Sequence, residues 1–364
     1  MKIAQLAPLI ESVPPDGYGG TELVVSLLTE ELVRRGHEVT LFATGDSSTS
    51  ARLVSVVSEG LRKACPEHRY RWPAYDLRSL LKLKEMSCEF DIVHNHMGYP
   101  ALPFLEALNC PVVTTNHNPI SDYCADAYLA FAELPYISIS DSYRRLNYPN
   151  QLNYIATVYN GIDTDRYFCE QNKTRSYLLF IGRISAAKGT SVAIDIAQRL
   201  GLPIKLAGKI DASDEAYFAN QVKSKLAPPN VEFLGEVTEQ EKVDLYRGAI
   251  ATLYPINFEE PFGLVMAESL ASGTPVLALN RGSVQEVVSD QETGIIAETS
   301  EQLLEKFIAI ESLSADACRT RARELFGKER MTQQYEFVYK QLMEEFRADR
   351  KQQEQCVQRL QREK

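Results

Sequence analysis

Two acids and two cations in the second half of the chain have the types and spacing to grip a charged, hydroxyl-rich ligand. Glu260 and Glu268 lie in Phe258-Glu259-Glu260-Pro261-Phe262-Gly263-Leu264-Val265-Met266-Ala267-Glu268, which continues into Ser269-Leu270-Ala271-Ser272-Gly273-Thr274-Pro275. On one continuous helix, eight residues rise about 12 Å over a little more than two turns, so both carboxylates share a side. That span suits the two ends of a nucleotide sugar, with one acid on the sugar hydroxyls and the other on the ribose diol. Amides at the helix start can then meet a diphosphate between them. Pro261 suits a first helical turn, and Gly263 permits close backbone approach. The plainer reading of the same stretch is a surface helix with a capping acid. Arg183 and Lys188 lie in Phe180-Ile181-Gly182-Arg183-Ile184-Ser185-Ala186-Ala187-Lys188-Gly189, where a strand ends and a helix opens. Cations there can converge on phosphate oxygens, the Arg as a fork and the Lys as a point charge. In the first half, Tyr18-Gly19-Gly20-Thr21-Glu22 puts two glycines at a helix start, where a phosphate or sugar can approach the backbone. It lacks the G-x-G-x-x-G of a dinucleotide site. Val112-Val113-Thr114-Thr115-Asn116-His117-Asn118 ends a strand in a polar tip, which presents His117.

The elements that must position these groups alternate in an α/β pattern, short Val/Ile/Leu-rich runs separated by segments of helical period. The pattern predicts strands near 2–8, 38–43, 52–57, 91–95, 111–115, 136–139 and 155–159. It predicts a helix over 21–35, capped by Thr21 and ended by Gly36. Residues 160–175 are polar and turn-rich and read as a hinge. Strands near 177–182, 203–207, 231–234, 250–254, 275–279 and 294–297 follow, with helices near 188–200, 239–248, 263–272 and 283–289 between them. Two such runs imply two Rossmann-like domains facing a cleft, over 1–163 and 164–328. Residues 329–364 form a helical segment whose tail, 347–364, is charged and solvated.

With those segments in view, the chain resembles the retaining glycosyltransferases of family 4. Glu260 through Glu268 matches their E-x7-E motif, and the match extends through Phe262-Gly263 to Ala271-Ser272-Gly273-Thr274-Pro275-Val276. The resemblance covers nearly the whole chain except its last twenty or so residues. It implies the GT-B fold, with the final helix crossing back to the N-terminal domain. The N-terminal domain then binds the acceptor and the C-terminal domain the nucleotide sugar. By the same resemblance Arg183 and Lys188 bind and stabilise the departing diphosphate, Glu260 orients the sugar, and Glu268 holds the ribose. Phe262, Gly263 and Leu264 line the donor site, Gly19 and Gly20 face the donor phosphates and the acceptor, and His117 lies near the donor sugar. Gly235-Glu236-Val237 corresponds to the segment at the nucleotide base, so Gly235 and Val237 join the donor-binding set.

The implied reaction moves a hexose from a nucleotide diphosphate sugar, UDP-glucose by default, to a hydroxyl acceptor with retention of configuration. No nucleophile with an adjacent base is visible, and the resemblance favours front-face transfer, in which a leaving-phosphate oxygen takes the acceptor proton. Catalysis then rests on His117, Arg183, Lys188 and Glu260, with no cofactor and no metal. A nucleotide-sugar epimerase, a phosphorylase on the same plan, or a catalytically silent partner subunit that binds a nucleotide sugar remain alternatives.

Composition narrows the classes further. The chain has 364 residues, a net charge of −10, 45% hydrophobic and 24% charged residues. That length suits two α/β domains. The acidic balance argues against a general nucleic-acid binder, while peripheral membrane contact stays open. Seven scattered cysteines without a C-x-x-C pair read as reduced thiols of a cytoplasmic protein. No signal-peptide layout and no apolar run of about 18 residues is present. Asp163-Thr164-Asp165 spells a metal-binding D-x-D but falls in the expected hinge turn. His94-Asn95-His96 reads as a strand-end loop lining the cleft, not as a zinc pair.

Overall fold

A computed structural model describes residues 1–17, 19–168 and 174–362. The chain divides into two compact units. The first contains Met1–Ile139, Leu146–Val158 and Met331–Lys364, and the second contains Ser140–Arg145 and Tyr159–Arg330. The passage from one to the other falls at Val158/Tyr159, a few residues before the boundary expected at 163/164. Residues 140–145 also belong to the second unit, although they lie inside the range expected for the first.

In the first unit, β1 (Lys2–Leu6), β2 (Glu38–Phe42), β3 (Arg52–Val54), β4 (Ile92–Asn95), β5 (Val112–Asn116), β6 (Tyr136–Ser138) and β7 (Tyr154–Thr157) form one sheet in the order β3-β2-β1-β4-β5-β6-β7. Every pairing is parallel. A parallel sheet covered on both faces reads as continuous apolar runs rather than alternation, which is why these strands were legible as short Val/Ile/Leu blocks. Between β1 and β2 runs helix α1 (Gly20–Arg34), with Val24, Val25, Leu28 and Leu32 buried. Its N-cap is Gly19, without a side-chain cap, so Thr21 sits inside the first turn instead of capping it. At the other end Gly36 takes φ +86°, as expected of a residue that terminates a helix.

The second unit holds β8 (Tyr177–Ile181), β9 (Ile204–Ala207), β10 (Val231–Gly235), β11 (Ala249–Tyr254), β12 (Val276–Leu279) and β13 (Gly294–Ala297). They pair in parallel in the order β10-β9-β8-β11-β12-β13. Helices α2 (Thr190–Leu200), α3 (Glu239–Gly248) and α4 (Leu264–Ala271) connect them. The core of this sheet includes Leu178, Phe180, Ile194, Ile204, Leu206, Leu253 and Leu277.

Each sheet is doubly wound, two Rossmann-like units as expected. In each the strand order reverses beside the first strand, between β1 and β4 and between β8 and β11. Ligands in such sheets bind beyond the carboxyl ends of the strands at that reversal. His96 and His117 directly follow β4 and β5, and Gly182-Arg183 directly follow β8, so the candidate residues lie at these ends.

The C-terminal helix, Lys328–Arg362, begins in the second unit and from Met331 onward belongs to the first. Met331, Tyr335, Val338 and Tyr339 are buried there, while residues 347–352 are exposed. The expected return of this helix to the N-terminal domain is therefore present. No helix among the described residues is long and apolar enough to cross a membrane.

Candidate functional site

The carboxyl edge of the second unit gathers most of the predicted residues. Because all six strands are parallel, the segments after β8, β9, β10 and β11 emerge at one edge. They carry Arg183 and Lys188, Asp211 and Asp214, Val237 (just beyond Gly235, the last residue of β10), and Glu260 through Gly263, respectively. Lys188 Nζ donates to Glu260 Oε2 at 2.6 Å, and the Tyr254 hydroxyl donates to the same oxygen at 2.6 Å. Lys188 also lies 4.7 Å from the Phe258 ring centroid, a cation–π contact that fixes its other side.

Arg183 is held more loosely. Its Nη1 is 3.5 Å from Asp211 Oδ2 and its Nε 3.4 Å from Asp214 Oδ2, both longer than an Arg–carboxylate hydrogen bond. Its Nε and the Asp214 oxygen are buried atoms without a hydrogen bond. A guanidinium so held can turn to a phosphate without breaking a good bond. Lys209 adds a further cation, 3.2 Å from Asp211.

Glu260 does not lie on a helix shared with Glu268. Helix α4 starts at Leu264, and Gly263 is its N-cap in a left-handed conformation, φ +81°. Glu260 and Pro261 belong to the preceding loop, so Pro261 is outside the helix it was expected to open. The left-handed conformation at Gly263 interrupts helical geometry between Glu260 and Glu268. A Cβ there would lie 2.6 Å from Met266 Cε and 2.8 Å from the Tyr254 hydroxyl, so the position is closed to side chains. The loop is pinned from below by residues 282–283. Gly282 N donates to Glu259 Oε2 (2.6 Å), Ser283 N to the Glu260 carbonyl (3.0 Å) and Ser283 Oγ to the Phe262 carbonyl (2.7 Å). A Cβ on Gly282 would come within 2.2 Å of the Glu260 oxygen. Ser140 Oγ donates to the Pro261 carbonyl at 2.6 Å. Phe262 turns inward, 2% exposed, and packs on Tyr159 and Phe326 at ring centroids of 6.0 and 5.6 Å. It anchors the loop; a ligand can meet only its backbone. Gly263 and Leu264 stay half-buried at the start of α4, where backbone amides point out of the helix end.

Glu268 is buried within α4, 2% exposed, and already has partners on α3. Lys242 Nζ donates to its Oε1 at 3.0 Å and the Tyr246 hydroxyl to its Oε2 at 2.8 Å, while Lys242 also meets Glu239 at 2.7 Å. Burial works to lower the Lys242 pKa, but Glu268 and Glu239 outweigh it and raise it. A carboxylate has about four acceptor sites, so these bonds leave room for a diol. Gly235 ends β10 with φ +73°, its carbonyl accepting from Gly208 N at 2.7 Å, and Val237 is half-buried beyond it.

In the first unit His117 belongs to a buried chain of side chains. Its Nε2 is 2.9 Å from His96 Nδ1; His96 Nε2 is 2.8 Å from Gln5 Oε1. Gln5 Nε2 donates to the Tyr339 hydroxyl at 3.1 Å, which is 2.7 Å from His94 Nδ1. His94 Nε2 in turn lies 2.7 Å from Thr115 Oγ1, which meets the Tyr335 hydroxyl at 3.1 Å. Burial pushes the pKa of His117 down to about 4, and burial with neighbouring imidazoles holds His94 and His96 well below the ordinary value. His94 and Asn95 are wholly buried β4 residues and His96 is 4% exposed. The reading of 94–96 as a loop lining a cleft is therefore corrected: a central strand of a covered sheet has no solvent face.

Beside His117, Asn116 is 2% exposed and neither its Oδ1 nor its Nδ2 has a partner. The pattern singled out His117 and passed over Asn116, whose signal was its place at the very end of the strand. Tyr18 lies outside the described residues. Gly19 has a steric reason of its own, since a Cβ there would meet Pro15 Cβ at 2.7 Å. Gly20 is the first residue of α1, and burial pushes the carboxyl of Glu22, in that first turn, up to about 7. Asp163, of the D-x-D string, is paired with Lys328 at 3.0 Å.

Comparison with known proteins follows the same division. Residues 18–166 match the family described as Glycosyltransferase Family 4, and residues 162–325 that described as Glycosyl transferases group 1. Glycogen synthase of Mycobacterium tuberculosis (strain ATCC 25618 / H37Rv) is 25% identical over 374 aligned residues, covering 89% of each chain. AviGT4, a glycosyltransferase involved in avilamycin A biosynthesis, superposes with a TM-score of 0.68 at 25% identity, over 94% of this chain and 98% of that one. The Anabaena protein Alr3699/HepE, solved in complex with UDP-glucose, gives a TM-score of 0.70 at 17% identity, over 94% and 100%. The last likeness is one of fold alone.

Proposed function

The chain belongs to the family 4 glycosyltransferases, and from that premise we propose that it moves glucose from UDP-glucose to a hydroxyl acceptor with retention of configuration and without a metal. One observation carries the reading. The carboxyl edge of the second sheet holds two cations, Arg183 and Lys188, an acid, Glu260, and the N-terminal amides of α4, supplied by the connections that follow the adjacent parallel strands β8 and β11.

Retaining transfer makes the anomeric carbon oxocarbenium-like while negative charge grows on the departing diphosphate. Donors fixed where that charge develops are the most effective groups a protein can offer, each contributing roughly 3–4 kcal/mol. A helix terminus contributes about 0.3–1 kcal/mol at an exposed site, so Arg183 and Lys188 dominate over the α4 amides. Lys188 releases Glu260 when it meets the phosphate, and Glu260 then orients the sugar hydroxyls while Tyr254 keeps its carboxylate in place. Glu268 takes the ribose diol on the lone pairs that Lys242 and Tyr246 leave unused. His117 accepts from a sugar hydroxyl, and the base lies against Gly235 and Val237. The acceptor belongs to the first unit, where Gly19 and Gly20 open α1. The default to UDP-glucose draws support from the UDP-glucose seen with the Anabaena protein.

A thermal-shift screen of nucleotide sugars tests the donor. UDP-glucose at a hundred times its dissociation constant adds about 2.7 kcal/mol of stability. A shift with GDP-linked sugars and none with UDP-glucose would replace the donor. Turnover with UDP-glucose should persist in EDTA and yield an α-linked product; loss restored by manganese, or a β-linked product, would overturn the metal-free or the retaining part.

A further inference from the structure

We propose that Asp211 and Asp214 set the release of the nucleoside diphosphate product by competing with it for Arg183. The proposal rests on the reading of the second unit's carboxyl edge as the seat of a nucleotide sugar. It gives a task to two acids that this reading leaves without one.

Both acids come from the connection after β9, the strand beside β8, whose own connection supplies Arg183. The two connections are clamped together. Gly182 N donates to the Ala207 carbonyl at 3.0 Å and Ile184 N to the Lys209 carbonyl at 2.8 Å, so Arg183 is flanked by two backbone bonds to the segment that leads to the acids. That approach leaves no space for a Cβ on Gly208 against the Gly182 carbonyl. Asp214 N donates to the Asp211 carbonyl at 2.8 Å and closes a single 3-10 turn over Ala212–Asp214. Residues three apart eclipse on such a turn, and the two carboxylates face one guanidinium. Their contacts with it are those of counter-charges. Arg183 Nη1 is 3.5 Å from Asp211 and Nε 3.4 Å from Asp214, and Nε and the Asp214 oxygen are buried atoms without a hydrogen bond. Coulomb attraction falls only as the inverse of distance, so at this range most of it survives while the directional bond is lost.

Asp211 also meets Lys209 at 3.2 Å, and Lys188 meets Glu260 at 2.6 Å, so each of the three cations faces a carboxylate. Acids among the cations of an anion site lower its affinity. The use of that lowering follows from the change of charge in the reaction. The diphosphate of a nucleotide sugar carries about two negative charges. Once the sugar has left, the terminal phosphate takes up a further one near neutral pH, which brings the product to about three. Cations alone would therefore hold the product more tightly than the substrate. Carboxylates beside Arg183 oppose the product by the larger amount, and they give the guanidinium a partner as the phosphates depart. Asp211 and Asp214 are positioning residues in this scheme, acting through Arg183 and touching no sugar.

Titration calorimetry on the whole protein, with UDP and with UDP-glucose and no acceptor, compares the wild type with Asp214→Asn and Asp211→Asn. Each substitution keeps the shape and removes one charge, and either suffices should the other fail to fold. UDP should bind Asp214→Asn about tenfold more tightly, and UDP-glucose should gain less. Surface plasmon resonance should place the gain in a slower dissociation of UDP. A merely structural role predicts the opposite sign, since Arg183 would lose its support and UDP would bind more weakly. UDP affinity unchanged or weakened in both variants overturns the proposal. Equal gains for UDP and UDP-glucose overturn the role in release, because the product is then under no special handicap. Asp214→Glu restores the charge and should stay within about twofold of the wild type. Glu232→Gln removes one charge from an exposed pair on β10 and should do the same; a tenfold gain there would ascribe the effect to net charge and overturn the local competition. In an Arg183→Ala background the gain from Asp214→Asn should vanish, and its persistence overturns competition for Arg183. A wild type that binds ADP or GDP in place of UDP would replace the donor named above, and the sign of the Asn effect on that nucleotide would still decide the proposal. Binding of no nucleoside diphosphate would overturn both.

Discussion

The two units meet the same task, holding polar groups ready at the carboxyl edge of a parallel sheet, by opposite means. In the second unit the groups are charged and paired with one another: Lys188 with Glu260, Lys242 with Glu268 and Glu239, Arg183 with Asp211 and Asp214. In the first they are neutral, an imidazole chain kept uncharged by burial, ending in atoms with no partner. A dianionic diphosphate needs cations, but cations near a low-dielectric edge need counter-charges until it arrives. A sugar brings no charge, and neutral donors and acceptors suffice for it. On the function proposed above, ligand charge accounts for which unit resembles an ion-pair network and which a hydrogen-bond wire.

The strongest way to break the comparison is to remove one member of a buried pair. Glu268 is nearly inaccessible, so Lys242→Met should leave a buried carboxylate uncompensated and cost about 3–5 kcal/mol. Urea denaturation measures it. If the pair is the cause, Glu268→Gln in the same background should recover much of the loss. A Lys242→Met protein as stable as the wild type would mean that the tyrosine hydroxyls around Glu268 suffice for it.

Next come the two cations proposed to meet the phosphates, whose removal should act on turnover and hardly on folding. Arg183→Ala and Lys188→Ala should each lower kcat a hundredfold or more, about 3 kcal/mol, with little change in the unfolding midpoint. Arg183 makes the cleaner case, since its ion pairs are long and off-geometry. Lys188→Ala also frees Glu260, and part of its effect should appear in KM. Near-normal turnover in both variants would detach the charged edge from the chemistry altogether.

How much of this was legible beforehand follows the same line between local and distant. Strand positions need only short apolar blocks and intervening helical period, and the segments around Glu260, Arg183 and His117 announced themselves by turn residues within a few positions. Several things could not be read this way. The left-handed Gly263 breaks the stretch that spacing alone treated as one helix, because eight residues fit a helix and a loop equally well. Phe262 could not be known to face inward before Tyr159 and Phe326 were placed around it. Lys242 and Tyr246 become partners of Glu268 only once α3 packs beside α4. The His94–Tyr339 contact joins residues 245 apart, and no periodicity carries information across that distance. Burial, too, is a tertiary property, so the histidines of 94–96 read as a strand-end loop lining a cleft, whereas the sheet buries them.

The smallest effect concerns pH and sharpens the contrast on the neutral side. His117 has its pKa held at about 4 by burial, below an ordinary 6.5. Above pH 6.5 it is neutral folded or unfolded, and its contribution to stability is intact. As pH falls below 6.5 the unfolded chain takes up the proton first, and stability drains away until the folded value is reached. At pH 5 the loss from His117 alone comes to about 2 kcal/mol. Glu22 works the other way in an overlapping window. Its carboxyl is raised to about 7 from 4.5, so its contribution is complete below pH 4.5 and lost as pH rises through 7. The wild-type curve is then a compromise between them, with His94 and His96 adding to the acid-side loss. Variants separate the parts. The stability difference between wild type and His117→Asn, measured by urea midpoints, should shift by about 2 kcal/mol in favour of the variant between pH 8 and pH 5. Glu22→Gln should shift in the opposite sense, gaining on the wild type as pH rises through 7. A difference for His117→Asn that stays flat across that range would mean the imidazole is solvated and free to charge, and the neutral wire in the first unit would lose its physical basis.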